Sequence, residues 1–395
     1  MKKGLLYGLV ILLVIVAVSA VFLRGRLGEE SPETSQQETT QDISETKEQE
    51  DDRQTKSIQK EKQEKIEQKD EEMTKVAKED EPSEEQTTEE SIEETGEDEV
   101  ILSKFNYLPI DEKVLHRAVM VSIENTPKAR PQSGICQAPI VYEFLVEGGI
   151  TRFLALFWSD IPEKIGPIRS VRPYMIEIAQ EYDALLLHAG ASPAGFEMLQ
   201  QTDYTNLDQI YNGKYYWRSQ QRPTPHNLFT GEYRINDYLN DMLGIEYKNR
   251  FNFEEIMIIS NAKAKAEEIN IDYWGNYEVL YQYNPQENSY KRYLNSKDNP
   301  HLCEDDQQIT VKNIIVQFVK TNVKDDVGRL SMKLEGENKA LYFRNGVVSE
   351  GHWQKDGSGL TKFYDENNQL ITVNPGKTWI QIVPTNTNIT YKESD

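Results

Sequence analysis

The stretch GPIRSVRPYMIEIAQEYDALLLHAGASPAG, residues 166–195, joins signals of helices to those of a buried strand. Two of its prolines stand where helices can begin, because proline suits the first helical position and its missing N–H would be unpaired there anyway. Between them the apolar run ALLLH at Ala184–His188 is typical of a strand. The stretch therefore predicts a helix over Pro173–Tyr182, then a strand, then a helix over Pro193–Gln201.

Three further β-like runs precede this stretch: AVMVSI at 118–123, IVYEFLVE at 140–147 and RFLALFW at 152–158. Strands that alternate with helices favour an α/β or α+β domain with a mixed sheet. From Tyr277 to Pro384 short aromatic and β-branched runs follow one another, and Asn-Gly at 345–346 is a two-residue hairpin signal. This second region predicts a mostly antiparallel β domain.

Charge and composition divide the chain before these regions begin. Residues 4–23 are an uncharged run flanked by lysines and arginines, long enough to cross a bilayer, and we expect an uncleaved transmembrane anchor rather than a cleaved signal peptide. Residues 29–100 carry 28 acidic and nine basic residues, a net charge of −19, and almost no large apolar side chains. Such a composition predicts a disordered acidic linker.

The rest of the chain, residues 101–395, carries 38 acidic and 31 basic residues, a net charge of −7. This balance argues against nucleic acid as a partner. The stretch AKAKAEEI, residues 262–269, looks helical and is expected to lie in a connector. The predicted organisation is an anchor over 1–26, a linker over 27–99, an α/β domain over 100–245, a connector over 246–275 and a β domain over 276–390.

Cys136 and Cys303 are the two cysteines of the chain and lie far apart in sequence. One bridge is an alternative, but we expect two unpaired thiols, and neither cysteine has metal-type spacing. No cysteine follows the apolar run at the amino terminus, so we expect no lipid-modified amino terminus. The five histidines are scattered and no glycine-rich phosphate loop is present, so no metal or cofactor is predicted.

Arg169 and Arg172 lie beside the start of the first predicted helix, where free N–H groups and the helix dipole favour an anion. His188 ends the following strand, at the edge where α/β proteins often bind ligands, and Ser192 is a candidate N-cap and ligand contact at the next helix. The alternative is that the arginines pair with local carboxylates such as Glu177 or Asp183 and that His188 is a hydrogen-bonded core residue.

Glu143 and Glu147 would share one face of a strand, roughly 13 Å apart. That spacing does not suit a glycosidase pair, so each is a candidate general acid only singly, or an ion-pair partner for Arg152, Arg169 or Arg172. A third candidate is the stiff segment RPTPHN, residues 222–227, which would present His226 and Asn227 to a ligand; the alternative is a capped turn.

Several long blocks resemble the YerB-like family of bacterial envelope proteins, a two-domain family of unknown function. They are ARPQSGICQAPIVYEFLVEGGITRFLALF, EKIGPIRSVRPY, LLLHAGASP, PHNLFT and NPGKTWIQIVP. The resemblance covers roughly residues 105–385 and implies a two-domain protein outside the cytoplasm. Family members are often lipoproteins, whereas here the lipid-accepting cysteine is replaced by an apparent membrane anchor.

We therefore expect a membrane-tethered extracytoplasmic protein whose first domain binds an anionic or glycan component of the cell wall. In this hypothesis Arg152, Arg169 and Arg172 hold a carboxylate or phosphate, and the two histidines with Asn227 contact hydroxyls. The alternatives are a metal-independent peptidoglycan-cleaving enzyme of the lytic transglycosylase type, with Glu143 or Glu147 as its single acid, and an adaptor for other envelope proteins.

Overall fold

The computed structural model describes residues 100–255, 259, 261–273, 277–357 and 359–393. The predicted anchor and the predicted linker, residues 1–99, lie outside these ranges. Among the described residues no helix combines the length and apolar character that crossing a bilayer requires.

Three α-helices and 21 strands form within the described ranges. The helices are α1 (Pro173–Glu181), α2 (Pro193–Thr202) and α3 (Glu232–Asn240). The strands are β1 (Val119–Glu124), β2 (Ile140–Leu145), β3 (Thr151–Phe157), β4 (Leu185–His188), β5 (Asn206–Asp208), β6 (Trp217–Arg218), β7 (Leu228–Phe229), β8 (Asn252–Phe253), β9 (Ala264–Lys265), β10 (Glu268–Tyr273), β11 (Tyr277–Asn284), β12 (Ser289–Leu294), β13 (Thr310–Val311), β14 (Asn313–Val323), β15 (Leu330–Lys333), β16 (Gly336–Arg344), β17 (Val347–Lys355), β18 (Lys362–Asp365), β19 (Thr372–Val373), β20 (Thr378–Pro384) and β21 (Asn388–Lys392).

A mixed sheet of 12 strands is the centre of the fold, with the order β18-β17-β16-β14-β20-β2-β3-β1-β4-β5, β15 beside β14 and β9 beside β17. Strands β2 and β20 pair in parallel from Ile140↔Thr378 to Phe144↔Ile382. Backbone hydrogen bonds therefore join the two predicted regions, and the first and second halves of the chain share one sheet.

A second sheet of five strands, in the order β13-β12-β11-β10-β21, is antiparallel throughout. It lies against the opposite face of the large sheet from α1. On the α1 face Phe144 of β2 packs on Tyr174, and on the other face Glu143 pairs with Arg292 of β12. The predicted mixed sheet followed by an antiparallel sheet is thus confirmed, with few helices.

Burial explains why the first strands lack an alternating pattern. Every residue of β1, β2 and β3 is buried, because helices cover one face and the second sheet covers the other. In contrast β10 alternates between buried and more exposed positions, as expected of a strand with one solvated face. The predicted helices and strands of residues 118–201 form with boundary shifts of one or two residues.

Turn chemistry also follows the sequence. Asn345 and Gly346 connect β16 with β17 and have φ angles of 53° and 70°, as a tight two-residue hairpin requires.

By contrast the prediction of helix for AKAKAEEI is wrong. Its residues form β9 and the start of β10, because pairing with β17, β11 and β21 outweighs a weak local preference.

The expectation of two unpaired thiols is also wrong, since Cys136 and Cys303 form a disulfide. A separation of 167 residues says nothing about distance in space. Backbone contacts bring the two segments together: Gln132 bridges Cys303, and the Glu304 N–H donates to Gln132 O at 2.9 Å. The bond links a short 3-10 helix, Ile135–Gln137, to the loop after β12.

Candidate functional site

The end of β1 and the start of β3 place two opposite charges side by side. Glu124 is the last residue of β1 and lies opposite Arg152 in the antiparallel register of the two strands. The segment before α1 runs along the same strand end, because the Arg169 N–H donates to Ser122 O at 3.0 Å. Three separate parts of the chain thus meet at one point.

Glu124 is the hub of this site and is only 2% exposed. Its Oε1 accepts hydrogen bonds from Thr126 Oγ1 at 2.6 Å and Arg169 Nη2 at 3.0 Å, and it lies 2.9 Å from His226 Nδ1. Burial raises the pKa of Glu124, but hydrogen bonds from Arg169 and Thr126 outweigh burial, so the pKa lies below its ordinary value. An ionised carboxylate therefore holds a guanidinium and an imidazole in position.

Arg152 is 8% exposed and forms no ion pair with the described residues. Its Nη1 donates to Ser170 O at 2.6 Å, whereas its Nε is buried without a hydrogen-bond partner in the described part of the chain. Burial, followed by the positive charge of Arg172, lowers the pKa of Arg152 to about 10. At neutral pH it is still a cation, and its buried charge is incompletely compensated.

Arg172 is tied to Glu147 by two hydrogen bonds, both 2.7 Å long. Burial raises the pKa of Glu147, but the hydrogen bonds from Arg172 lower it by more than burial raises it. The pKa of this carboxyl group is therefore below its ordinary value. Arg172 and Arg152 also meet at Ser170, whose Oγ lies 3.1 Å and 3.4 Å from their Nη1 atoms. We use the name arginine cluster for Glu124, Glu147, Arg152, Arg169, Arg172 and His226.

The predicted placement of Glu143 and Glu147 on one strand face is wrong. β2 ends at Leu145, and Glu147 lies in a 3-10 helix in which Gly148 and Gly149 have φ angles of 74° and 72°. This turn carries Glu147 to the arginine cluster, whereas Glu143 stays on the opposite face of the sheet. The run VEGG looked like a continuation of the strand because only its glycines signal the turn.

Glu143 belongs to a fully enclosed polar group that we call the buried cluster: Glu143, Tyr277, Tyr281, Arg292 and His301. Glu143 and Arg292 are both 0% exposed and are 2.8 Å apart from Oε2 to Nη2. Glu143 Oε1 also accepts hydrogen bonds from Thr151 and Tyr277. This placement favours a structural ion pair over contact with a substrate.

The two helix starts lie next to each other, as the sequence suggested. Val171 and Ala191 form a parallel bridge, and the Ser192 N–H donates to Val171 O at 3.1 Å. Ser192 is the N-cap of α2, because its Oγ accepts a hydrogen bond from the Gly195 N–H at 3.2 Å. Its role in ligand binding stays a prediction.

His188 and Asn227 form hydrogen bonds with residues outside the arginine cluster. His188 is 0% exposed, with Nδ1 2.9 Å from Gly190 O and Nε2 3.1 Å from Asn206 Oδ1. Asn227 accepts from Arg218 Nη1 at 3.0 Å and donates to Ser219 O at 2.9 Å. These contacts fit the alternative readings of the sequence, a hydrogen-bonded core histidine and a capped turn.

Glu124 and Thr126 were missed by sequence reasoning, although a signal was present. Glu124 follows the mostly apolar run VMVSI and precedes Asn-Thr-Pro. This pattern indicates a carboxylate at the end of a buried strand. A buried carboxylate needs a cation or hydrogen-bond donors, so this position could have been predicted to take part in a charged site. Arg169 pairs with Glu124 and Arg172 with Glu147, whereas Asp183 pairs with Arg117.

Potential metal ligands converge at one place in the described part of the chain, at Cys136, Cys303 and Asp305. The two sulfurs are bonded to each other, so they are not available as thiolate ligands. The arginine cluster, with its excess of cations, suits an anion and not a metal ion.

Comparison with known proteins finds relatives that match most of the described residues. The family model described as "Protein of unknown function (DUF3048) N-terminal domain" matches residues 107–245, and the corresponding C-terminal domain matches residues 269–380. A Bacillus subtilis (strain 168) protein named "Putative lipoprotein YerB" is 35% identical over 289 residues, which is 70% of this chain and 84% of that protein. The crystal structure of the YerB protein from Bacillus subtilis matches with a TM-score of 0.65 and 29% identity, over 73% of this chain and 99% of that one.

Proposed function

This chain belongs to the YerB-like two-domain family, and from that premise we propose that it is an extracytoplasmic envelope protein whose arginine cluster binds an anionic or glycan component of the envelope. The relative named as a lipoprotein supports attachment at a membrane. The apolar run of residues 4–23 would supply that attachment here. The disulfide between Cys136 and Cys303 fits an oxidising compartment outside the cytoplasm.

The observation that carries the binding proposal is the state of Arg152. A buried guanidinium with an unpartnered Nε and other arginines nearby is energetically unfavourable unless something supplies negative charge. Glu124 and Glu147 neutralise Arg169 and Arg172 through direct ion pairs, and no described residue forms one with Arg152. A carboxylate or phosphate of a ligand would complete this arrangement.

The described surface cavities of about 400, 520 and 440 Å³ are lined by other residues. The arginine cluster is therefore a partly buried patch and not one of these cavities. A patch of this kind suits one charged group of a long polymer, of which most remains outside the protein. The charge arrangement, and not cavity size, supports a ligand at this patch, because a buried cation without an ion pair among the described residues is stabilised by an anion, whereas an empty groove needs no occupant.

The test is sedimentation of the purified full chain with isolated cell-wall sacculi. We expect binding that is weakened at least tenfold by Arg152→Gln and by Arg169→Gln. The matched control is Arg329→Gln, which removes the same charge from an exposed ion pair with Asp325. Sedimentation that is equal for all four proteins would contradict the proposed role of the cluster.

The two alternatives from the sequence have less support. A glycan-cleaving role for Glu143 or Glu147 meets the difficulty that one is enclosed and the other is held by Arg172. Soluble glycan fragments released by the wild-type chain and lost in Glu147→Gln would favour that enzyme. If the wild-type chain neither releases fragments nor binds sacculi, the adaptor role is favoured.

A further inference from the structure

His226 is fixed in the arginine cluster through one ring nitrogen only. Nδ1 lies 2.9 Å from Glu124 Oε1 and 3.5 Å from Thr126 Oγ1. No described residue forms a hydrogen bond with Nε2, and the side chain is 13% exposed. Because the carboxylate accepts the Nδ1 proton, the neutral ring presents the lone pair of Nε2 away from Glu124.

We propose that Glu124 and His226 form an acid–base pair that hydrolyses an acyl ester on an anionic envelope molecule. The inference rests on the proposed function, because the cluster must first hold the anionic part of that molecule. A carboxylate on Nδ1 fixes the tautomer and orientation of the ring and stabilises the imidazolium that forms when Nε2 takes a proton. Glu124 is suited to this task, since it is ionised and is itself held by Arg169.

The number of imidazoles decides which reaction class fits. At an acyl carbon one imidazole can take a proton from the attacking water and return it to the leaving oxygen. In an in-line phosphoryl displacement the attacking and leaving oxygens lie on opposite sides of phosphorus, so one ring does not reach both. His226 is the one histidine of the arginine cluster, and the pair therefore suits an acyl ester.

The atoms balance with water as the only co-reactant. Water gives a proton to His226 Nε2 while its oxygen bonds to the acyl carbon, and the carbonyl electrons move onto the carbonyl oxygen. The guanidinium group of Arg169, which shares Glu124 Oε1 with His226, supplies positive charge near this oxyanion. The electron pair of the oxyanion then re-forms the carbonyl double bond while the bond to the alkoxy oxygen breaks. The electron pair of that bond stays on the alkoxy oxygen, and Nε2 returns the proton to it. The products are a carboxylic acid and an alcohol.

The competing explanation is that His226 only contributes a structural ion pair to Glu124. That role predicts a change in stability when His226 is replaced and no hydrolysis by the wild-type chain. The acid–base role predicts a rate effect in a variant that remains folded. His226→Gln separates the two, because glutamine can still donate a hydrogen bond to Glu124 but cannot exchange a proton.

The experiment follows hydrolysis of 4-acetoxybenzoate, an anionic acyl ester, and of neutral phenyl acetate by the full chain. We expect the wild-type chain to hydrolyse the anionic ester at least about 100-fold faster than His226→Gln, the usual contribution of general acid–base catalysis. His352→Gln is the matched control, since His352 lies in β17 and stacks on Tyr364. The preference for the anionic ester should fall in Arg152→Gln, which removes the cation proposed to hold the anionic part of the substrate.

Equal rates for wild type and folded His226→Gln would overturn the acid–base pair, as would a wild-type rate no higher than that of buffer. If His226→Gln fails to fold, His226→Asn is measured in its place. Sacculi sedimentation by the same preparations tells the two proposals apart. Binding without ester hydrolysis overturns the acid–base pair alone, whereas loss of wild-type binding overturns the proposed function on which it rests.

Discussion

The buried cluster and the arginine cluster use the same residue types on opposite faces of the same strands, with opposite results. In the buried cluster every guanidinium nitrogen of Arg292 has a partner: Nε donates to His301 Nδ1 at 3.0 Å, Nη1 to Tyr281 at 2.6 Å and Nη2 to Glu143 at 2.8 Å. In the arginine cluster the Nε of Arg152 has none among the described residues. Complete satisfaction fits a structural role for Arg292, and the unpartnered Nε of Arg152 is the basis of the binding role proposed for the arginine cluster.

The two histidines sharpen this contrast. Burial, together with the positive charge of Arg292 and Arg130, holds the pKa of His301 well below its ordinary value. His301 is therefore neutral, accepts at Nδ1 and donates from Nε2 to Gln132 Oε1 at 2.9 Å. Both ring nitrogens of His301 have hydrogen-bond partners, whereas within the described part of the chain only Nδ1 of His226 has one. Gln132 in turn donates to Glu124 O at 3.0 Å and so connects the two clusters.

The largest expected effect on stability comes from removing the cation of the buried cluster. Arg292→Gln leaves Glu143 as an uncompensated buried charge, and we expect the free energy of unfolding to fall by about 3–5 kcal/mol. Urea unfolding at pH 7 measures this change. The double variant Arg292→Met with Glu143→Leu should recover most of the loss, because no charge then remains buried. A fall below about 1 kcal/mol for Arg292→Gln would contradict a structural role.

The next effect concerns the covalent link beside Gln132, which lies between the clusters. Replacing Cys136 and Cys303 by alanine removes the disulfide and should lower the free energy of unfolding by about 2–4 kcal/mol. The same loss should follow when the wild-type chain is measured with a reductant. The control is the double alanine variant measured with the same reductant, which should not change its free energy of unfolding further.

A smaller loss of stability is expected in the arginine cluster. Arg152→Gln removes the hydrogen bonds of Nη1 to Ser170 O and Oγ together with an incompletely compensated charge, so we expect a change of only about 1 kcal/mol in the free energy of unfolding. The same urea measurement at pH 7 compares it directly with Arg292→Gln. If the two substitutions cost equally much, the distinction between the clusters disappears.

The smallest effect is a dependence of stability on pH at Glu124. Its folded pKa is below the unfolded value, so its stabilising contribution is present above the unfolded pKa and is lost as the pH falls through the folded one. We expect a difference on the order of 1 kcal/mol between wild type and Glu124→Gln at pH 7, which narrows in acid. Unfolding midpoints measured from pH 7 downward test this, and a difference that widens in acid would give the wrong sign.

Prediction from the sequence succeeded where a local signal was sufficient. The helices that begin at Pro173 and Pro193, the Ser192 cap and the Asn345-Gly346 hairpin all depend on a few neighbouring residues. It failed at AKAKAEEI and at the pair Cys136 and Cys303, because both depend on partners that are distant in sequence. For the candidate site it identified the three arginines and His226 but not Glu124, which connects two of them.

By itself the sequence determined the composition of the amino-terminal region, the strands and helices of the first globular region, the tight hairpin and the family. These depend on short-range patterning and on residue identity. Only the tertiary structure decided that both halves share one sheet, that Glu143 is enclosed while Glu147 turns to the other face, and that Glu124 lies between Arg169 and His226. The physical reason is that burial and charge pairing depend on strand register and on contacts between residues 45 to 149 positions apart, which no local pattern encodes.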